Sequence, residues 1–360
     1  MSGRRLHVER SQLFWLSAFS VSLAVSLWGA PDRYLSLNRV HLYYAVLLLG
    51  IALHAWHAGS VKNVLGKYLL LVPLVHMVFL VYMVFWVVSL QYEAEVPATG
   101  APHYANIRHF AYHGFIAAAF ATSLFVLTRR LRATAFVLTA SALFGIILFG
   151  ARGALVAWLV SVAAMLVLGT RRRLLLAFGS SALLLSAGLV YGLAATGLLR
   201  GPSLFHRLEQ GIGGAFRVAD RLEIWLEAMS AILRRPVFGY GPEGYILSAC
   251  CNREVAQPHN FILQFALEFG LLGSALFLGL CIAVWRKAVG PGALSAMRRS
   301  IVSPERAVLA SIVLAVLAYA MIDGLLYHAI ALMHFSLVAA LFIGAMQGRA
   351  GMEIRSSGLG

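Results

Sequence analysis

The chain has 360 residues, of which 61% are hydrophobic and only 12% are charged, and its formal net charge is +15 at pH 7. Soluble domains carry about 25% charged residues, so this composition excludes an ordinary soluble globular protein. The apolar residues fall into runs of about 20, the length that crosses a bilayer as an α-helix. We therefore predict an all-α fold, a polytopic transmembrane helical bundle that forms a single integral membrane domain over residues 1–360.

Ten membrane-spanning helices are predicted along the chain. They lie near residues 11–30, 39–58, 68–90, 108–128, 133–150, 153–169, 174–195, 261–285, 306–323 and 325–346. The fifth and sixth spans are separated by Gly150, Arg152 and Gly153, which indicate a tight turn. Most connections between the spans are short, but two of them, 91–107 and 196–260, are long. A long ordered connection is usually functional.

Basic residues are distributed unevenly between the two sides of the predicted bundle. The termini and the even-numbered connections share one side, which carries 18 of the 29 Lys and Arg residues and three acids. The other side carries 11 arginines and 11 of the 14 acids, so its net charge is zero. Because basic residues favour the cytoplasmic side, we predict that both termini are cytoplasmic and that connection 196–260 is extracytoplasmic. The net charge is thus a topology signal and does not indicate nucleic-acid binding.

The connection 196–260 contains a predicted amphipathic helix near residues 217–235. Its apolar residues recur at helical spacing and form one stripe. These residues are Val218, Leu222, Trp225, Leu226, Met229, Ile232 and Leu233. Arg217 and Arg221 flank the stripe. We expect the helix to lie flat on the membrane with Arg221 at headgroup depth, although an arginine there can also simply extend its head group to water.

A histidine, His259, stands where this connection ends and a membrane helix begins. On an ideal helix, Ala266, Gly270 and Gly273 lie within about 40° of His259 around the axis. This strip of small residues allows either close helix packing or a groove for a lipid tail. Glu268 lies on the opposite side, roughly 13 Å into the span, where a carboxylate should be paired, protonated or facing a cavity.

Arginines on the extracytoplasmic side are candidates for binding an anionic lipid headgroup. Arg108, Arg152 and Arg221 all lie on that side in the predicted topology. The planar guanidinium group binds phosphate oxygens through two N–H groups at once, but arginines are also common at helix ends. His328 and Asp323 flank the last outer turn and could approach the same cavity.

Metal-binding motifs are weak in this sequence. Glu93 and Glu95 form an E-x-E pair, but two carboxylates alone rarely define a metal site. His103, His109 and His113 lie near one another without a cysteine or carboxylate at ligand spacing. We therefore predict no metal and no cofactor.

Three short motifs occur in order between residues 151 and 273. A-R-G contains Arg152, D-R-L-E-I-W followed by P-x-x-G-x-G contains Arg221, and H-N-x9-G-x-x-G runs from His259 to Gly273. Their order and spacing resemble the O-antigen ligase and O-antigen polymerase family of bacterial envelope glycosyltransferases. The resemblance covers residues from about 105 to 345.

The resemblance implies a metal-independent glycosyl transfer at the periplasmic face of the bacterial inner membrane. The donor would be a glycan on undecaprenyl diphosphate, and the acceptor would be lipid A–core for a ligase or another lipid-linked glycan for a polymerase. Arg152 and Arg221 would bind the diphosphate, and His259 would serve the acceptor. Supporting residues would be Arg108, Arg217, Asn260, Glu268 and His328.

The chemistry of this transfer suits these residue types. A neutral histidine can accept the proton of an acceptor hydroxyl near pH 7, and a leaving diphosphate needs electrostatic stabilisation more than a general acid. We favour a ligase over a polymerase. A lipid-linked oligosaccharide flippase stays open but should need charged residues along several spans, and a non-catalytic subunit of an envelope assembly complex would tolerate loss of His259.

Overall fold

The computed structural model describes residues 10–57, 61–90, 109–168, 172–196, 218–247, 257–289 and 303–357. Within these ranges the regular structure is helical and no strand occurs. This result confirms the predicted all-α fold.

Twelve α-helices follow one another through the described part of the chain. They are α1 (Arg10–Trp28), α2 (Arg33–His57), α3 (Val61–Leu90), α4 (Phe110–Leu127), α5 (Arg132–Leu148), α6 (Arg152–Val167), α7 (Arg172–Ala195), α8 (Val218–Arg234), α9 (Gly244–Leu247), α10 (Phe261–Val289), α11 (Pro304–Ala320) and α12 (Ala329–Ser357). Single 3-10 turns lie at Arg129–Leu131 and Leu325–Tyr327. The amphipathic helix predicted over 217–235 appears as α8.

Eight segments of the described chain are long and apolar enough to cross a membrane. They are Arg10–Trp28, Arg33–Leu53, Val64–Trp86, Phe110–Leu127, Arg129–Leu148, Arg172–Ala195, Phe261–Val284 and Ala329–Met346. The other two predicted spans, 153–169 and 306–323, correspond to the shorter helices α6 and α11, of 16 and 17 residues. The chain is therefore a multi-pass membrane protein.

The helices form two compact units, each assembled from separate stretches of the chain. The first unit draws on the described parts of Met1–Gly59, Arg217–Ser300 and Ala320–Gly360, and the second draws on those of Ser60–Phe216 and Ile301–Tyr319. The single integral membrane domain inferred from composition concerns the whole chain and stays a prediction.

In the first unit, α1 packs along α10 through aromatic side chains. The ring centroid of Phe19 lies 6.2 Å from that of Phe265, 5.9 Å from Phe269 and 5.4 Å from Phe277. Leu23 and Val40 are buried in the same cluster, which brings the first part of α2 against these helices. Stacked and edge-on ring pairs of this kind add stability beyond the area they bury.

In the second unit, α4 is the central helix and almost all of its residues are buried. Its Thr122 accepts a hydrogen bond from the indole N–H of Trp158 in α6 at 3.1 Å, so a buried polar group of each helix satisfies the other. Tyr319, near the end of α11, stands edge-on to Tyr112 and Phe115 of α4, with centroids 5.5 Å apart in both pairs. The Trp158 hydrogen bond anchors the first half of α6, the helix that begins at Arg152.

Candidate active site

The structure places most of the predicted site residues in the first unit. That unit contains Arg221, His259, Asn260, Glu268 and His328. Arg152 belongs to the second unit, and Arg108 and Arg217 lie outside the described residues.

His259 forms a hydrogen-bonded pair with Asp323. The Nδ1 atom of the imidazole lies 3.1 Å from Oδ1 of the carboxylate, which also accepts the backbone N–H of Gly324 at 2.8 Å. The two side chains are 29% and 23% exposed, so the pair is partly open to solvent. Asp323 was expected to flank the last outer turn and to be able to approach the same cavity, and its pairing with His259 is the principal addition that the structure makes to the site.

The surroundings of Asp323 keep its carboxyl group ionised. Burial by itself would raise the pKa of the Asp323 carboxyl, because desolvation disfavours the charged form. The hydrogen bond and charge of His259, the N–H of Gly324 and the charge of Arg221 outweigh burial and lower that pKa from its ordinary value. The stabilising contribution of the carboxylate is therefore complete at neutral pH and is lost only as the pH falls through this lowered pKa.

The backbone of His259 is left-handed, with a φ of 54°, a conformation that costs free energy in any residue except glycine. Both neighbours of His259 are held by hydrogen bonds. The indole N–H of Trp225 donates to the carbonyl of Pro258 at 3.0 Å. Oδ1 of Asn260 accepts the N–H of Leu263 at 3.1 Å and caps α10. The chain therefore turns sharply at His259, and the direction of the imidazole is fixed from both sides.

The turn that carries Asp323 is bound by two more of the predicted site residues. Nδ2 of Asn260 donates to the carbonyl of Met321 at 3.3 Å, and Arg221 donates to the carbonyl of Ile322. Arg221, His259 and Asn260, which are distant in sequence from this turn, thus bind three consecutive residues, 321 to 323. Arg221 uses one terminal nitrogen in this contact and its side chain is exposed, so the guanidinium has further N–H donors for an anion.

The fourth position of this turn, Gly324, packs closely against a side chain. A Cβ atom added at Gly324 would lie 1.4 Å from Nε2 of the buried Gln257 side chain. An Asp-Gly pair between two helices is a turn signal, so the sequence did contain a local indication of the turn. Nothing local indicated that the turn would meet His259.

A break in helix α10 lies about three turns beyond His259. Gly270 has a φ of 68° and a ψ of 178°, and these angles interrupt the helix. The freed carbonyls of Leu267 and Glu268 accept the N–H groups of Tyr240 and Gly241 at 2.9 and 2.8 Å. This pairing matters because unpaired backbone groups are costly at membrane depth.

The opposite side of the same break is closed by the start of the P-x-x-G-x-G segment. The N–H groups of Leu271 and Leu272 donate to the carbonyls of Pro236 and Val237 at 2.7 and 3.3 Å. Residues 236–241 therefore replace the helical hydrogen bonds that α10 loses at Gly270. The glycines of two separate sequence motifs belong to one backbone-to-backbone crossing.

The glycines at this crossing leave no room for a side chain. A Cβ at Gly239, whose φ is 68°, would lie 2.4 Å from the carbonyl oxygen of Leu267, and one at Gly270 would lie 2.2 Å from that of Val237. We expect Gly239→Ala and Gly270→Ala each to lower the free energy of unfolding by more than the roughly 1–2 kcal/mol that a left-handed alanine costs. Thermal unfolding of the purified variants in detergent measures this.

The matched control is Gly188→Ala in α7. Nothing lies within 4 Å of a Cβ at that position, and alanine is the better helix former by about 1 kcal/mol, so the melting temperature should stay the same or rise. Equal melting temperatures for all three alanine variants would contradict the crossing.

The small residues that follow His259 are used for packing. Ala266 is buried against α8, Gly270 meets Val237, and a Cβ at Gly273 would lie 3.2 Å from Oγ of Ser22 in α1. Because α10 breaks at Gly270, these residues do not form one continuous strip. Close packing is therefore the alternative that the structure shows. The expected groove for a lipid tail does not form along this strip.

Two predicted supporting residues lie in different surroundings. Glu268 is only 1% exposed, and its Oε1 accepts a hydrogen bond from Nε2 of Gln264 at 3.2 Å, so it lies in the core of the first unit with a neutral partner. His328 follows the last 3-10 turn, where its ring stands edge-on to Tyr327 with centroids 5.6 Å apart. Supporting roles for both residues stay predictions.

An ion pair and a tyrosine connect α2 and segment 239–244 to the 3-10 turn that follows Asp323. Arg39 of α2 pairs with Glu243 and donates to the carbonyl of Tyr327 at 2.8 Å, and the Tyr327 hydroxyl donates to Glu243 at 2.6 Å. Burial, and then the hydrogen bond to Glu243, raise the pKa of the Tyr327 phenol, which keeps it protonated as a donor. This cluster ties segment 239–244 to the residues that follow Asp323.

Arg152 is the first residue of α6 and is exposed. Gly150 before it has a φ of 65°, as the predicted tight turn requires. A Cβ at Gly153 would lie 2.7 Å from the ring of Tyr319, so the glycine lets α6 pack closely there. The A-R-G motif thus combines a closely packed helix start with an accessible guanidinium.

The candidate metal ligands can be followed only in part. Glu93, Glu95 and His103 lie outside the described residues. Among the residues that the structure describes, no group of three or more His, Cys, Asp or Glu side chains is arranged to hold a metal ion. His109 stacks on Tyr112 with ring centroids 5.6 Å apart.

Comparison with known proteins supports the resemblance to this family. Residues 134–278 match the model of a protein family described as O-Antigen ligase. The matched segment contains Arg152, Arg221 and His259 and ends before Asp323. No curated protein matches the chain. The family implies an enzyme of the glycosyl-transfer type, with a lipid-linked glycan and an acceptor as substrates. The chain is thus a multi-pass membrane protein that is similar to the O-antigen ligase family over residues 134–278.

Proposed function

We propose that this protein transfers a glycan from undecaprenyl diphosphate to a hydroxyl group of lipid A–core, as an O-antigen ligase. The observation that carries the proposal is the His259–Asp323 pair, 3.1 Å between Nδ1 and Oδ1, at the start of a membrane-spanning helix and beside an exposed arginine. A general base fixed at this position suits an acceptor hydroxyl that must reach a membrane-bound donor.

His259 acts as the general base in this proposal. An ionised Asp323 favours the tautomer with its proton on Nδ1, which leaves the lone pair of Nε2 to take the proton of the acceptor hydroxyl. The acceptor oxygen forms a bond to the anomeric carbon. The bond from that carbon to the phosphate oxygen breaks, and undecaprenyl diphosphate leaves with the electron pair. Asp323 is the positioning residue, because it holds the imidazole in this tautomer and stabilises the imidazolium that forms.

Arg221 and Arg152 bind the diphosphate of the donor in this proposal. A guanidinium fork matches two phosphate oxygens at once, and its positive charge does not depend on pH in the physiological range. Fixed positive charge stabilises the leaving diphosphate, so the reaction proposed here needs no metal ion. The exposure of both side chains supports this role.

The proposed location is the bacterial inner membrane, with both termini in the cytoplasm and the site facing the periplasm. The support is the uneven distribution of basic residues, 18 of the 29 on the side of the termini. A periplasmic site suits donors that have already been moved to the outer leaflet.

The product distinguishes a ligase from the polymerase alternative. We expect purified protein in proteoliposomes, supplied with the lipid-diphosphate glycan and lipid A–core, to form glycosylated lipid A–core and to release undecaprenyl diphosphate. Excess EDTA should leave the rate within about twofold, well under one decade or 1.4 kcal/mol. Mass spectrometry of the lipid products measures both results.

Each other outcome overturns a defined part of the proposal. A longer glycan that stays on the lipid carrier would identify a polymerase. Loss of activity with EDTA and rescue by Mg²⁺ or Mn²⁺ would contradict the arginine-only mechanism and draw attention to Glu93 and Glu95. No new glycosidic bond with either acceptor would remove the proposed activity.

A further inference from the structure

The surface of α8 is divided into sectors of different chemistry. Four large apolar side chains lie within about 60° around the helix axis, at 100° per residue. They are Leu222, Leu226, Met229 and Leu233, exposed by 51%, 53%, 41% and 77%. We call these four residues the apolar stripe. Glu223, Glu227, Ser230 and Arg234 form a polar sector beside it, also about 60° wide.

A third sector of α8 is buried in protein and lies nearly opposite the apolar stripe. Ile224, Ala228, Ala231 and Ile232 pack in one core cluster with Ala266 and Leu267 of α10. Ile232 therefore faces protein, and the sequence-based stripe that included it is corrected. Within the described residues, α8 has two separate apolar surfaces, and protein covers the one formed by Ile224, Ala228, Ala231 and Ile232.

The contact of α8 with α10 indicates how deep α8 lies in the membrane. Ala266 and Leu267 lie about 8–9 Å along α10 from its first residue, at 1.5 Å per residue, and the membrane-spanning part of α10 begins at that residue, Phe261. A helix packed at this level lies beside the outer part of a membrane span. Its apolar stripe points away from the protein at the depth where headgroups meet acyl chains.

We propose that α8 is an interfacial helix that inserts Leu222, Leu226, Met229 and Leu233 into the acyl–headgroup boundary of the extracytoplasmic leaflet. The polar sector then faces water, as expected for a helix lying in that plane. α8 is too short and too charged to be counted among the spans, so the partner that suits its stripe is the hydrocarbon edge of the bilayer.

This position of α8 also determines the depth of the candidate site relative to the membrane. Trp225 and Arg221 on the same helix hold the carbonyls of Pro258 and Ile322, which flank the His259–Asp323 pair. An interfacial α8 therefore keeps that pair level with the headgroups, where the diphosphate of a lipid-linked donor lies. This consequence rests on the proposed function, whereas the membrane contact of α8 does not.

The membrane contact is tested by nitroxide accessibility in nanodiscs. Single cysteines, in a background without Cys250, Cys251 and Cys281, carry spin labels at Leu222, Leu226 and Leu233 of the stripe. The matched controls are Glu223, Ser230 and Arg234 of the polar sector. We expect stripe positions to be accessible to oxygen and protected from a water-soluble nickel chelate, and the control positions to show the reverse.

Two results would overturn the membrane contact. Equal nickel access at the stripe and control positions would place the stripe in water. Protection of the stripe from both reagents would mean that protein covers it, either a second copy of the chain or another partner. Neither result depends on glycosyl transfer.

An activity measurement tests the consequence for the site. The double variant Leu226→Glu and Leu233→Glu should transfer glycan from a bilayer-embedded donor about tenfold more slowly, or about 1.4 kcal/mol, whereas Ser230→Glu should match the wild type. With a short-chain, water-soluble donor the double variant should keep the wild-type rate. Equal losses with both donors would contradict the positioning role, and an inactive wild type would instead remove the proposed function.

Discussion

Replacing His259 with alanine should lower the rate of glycan transfer by about two to four decades, the range that general acid–base catalysis contributes. Donor binding should stay close to that of the wild type, because the diphosphate is bound by arginines. The imidazole is held by Asp323 at 3.1 Å, and its loss removes the proton acceptor without removing a phosphate contact. Single-turnover transfer and equilibrium donor binding measure the two effects separately.

Asp323→Asn is the companion variant for the histidine. An asparagine amide keeps the shape of the carboxylate but not its charge, so it does not favour the required tautomer of His259. We expect a smaller loss of turnover than with His259→Ala, together with a changed pH dependence of the rate, which a purely structural role would not produce. An unchanged pH profile in Asp323→Asn would contradict its positioning role.

Lysine in place of Arg221 or Arg152 should weaken donor binding by roughly one to two decades. A charge-assisted hydrogen bond contributes about 1.5–3 kcal/mol, and a decade corresponds to about 1.4 kcal/mol. Lysine keeps the charge but loses the planar fork that binds two phosphate oxygens. Titration of the purified variants with a labelled donor lipid in nanodiscs measures the change in affinity.

The control for these arginines is Arg234→Lys. Arg234 is exposed on the polar sector of α8 and contacts Ser230 at 3.4 Å, so it shares the helix and the charge of Arg221 without being placed in the site. Its replacement should leave donor affinity unchanged. If Arg234→Lys and Arg221→Lys weaken binding equally, general surface charge rather than a specific diphosphate site attracts the donor.

The spans could be predicted, and candidate site residues could be proposed, because their signals are local. A run of about 20 apolar residues is sufficient to indicate a membrane helix, and the structure has such helices at eight of the ten predicted places. The motif around His259 likewise lies in one continuous stretch. Local patterns of this kind need no knowledge of tertiary contacts.

Contacts between distant segments could not be predicted in the same way. The pairing of His259 with Asp323 joins residues 64 positions apart, and the crossing at Gly270 depends on hydrogen bonds to residues 236–241. Periodicity assumed a continuous helix through Gly270, but tertiary hydrogen bonds make the break favourable there. The apolar stripe predicted for α8 wrongly included Ile232 for a related reason, because hydropathy cannot distinguish an apolar face covered by protein from one that stays exposed.

The proposed mechanism assigns donor binding to the arginines and activation of the acceptor to the His259–Asp323 pair. Its most direct test measures donor affinity and glycan transfer side by side on purified wild type, His259→Ala and Arg221→Lys. We predict that His259→Ala binds donor like the wild type but transfers about two to four decades more slowly, and that Arg221→Lys loses donor affinity. Loss of donor binding in His259→Ala, or transfer at the wild-type rate, would contradict the account.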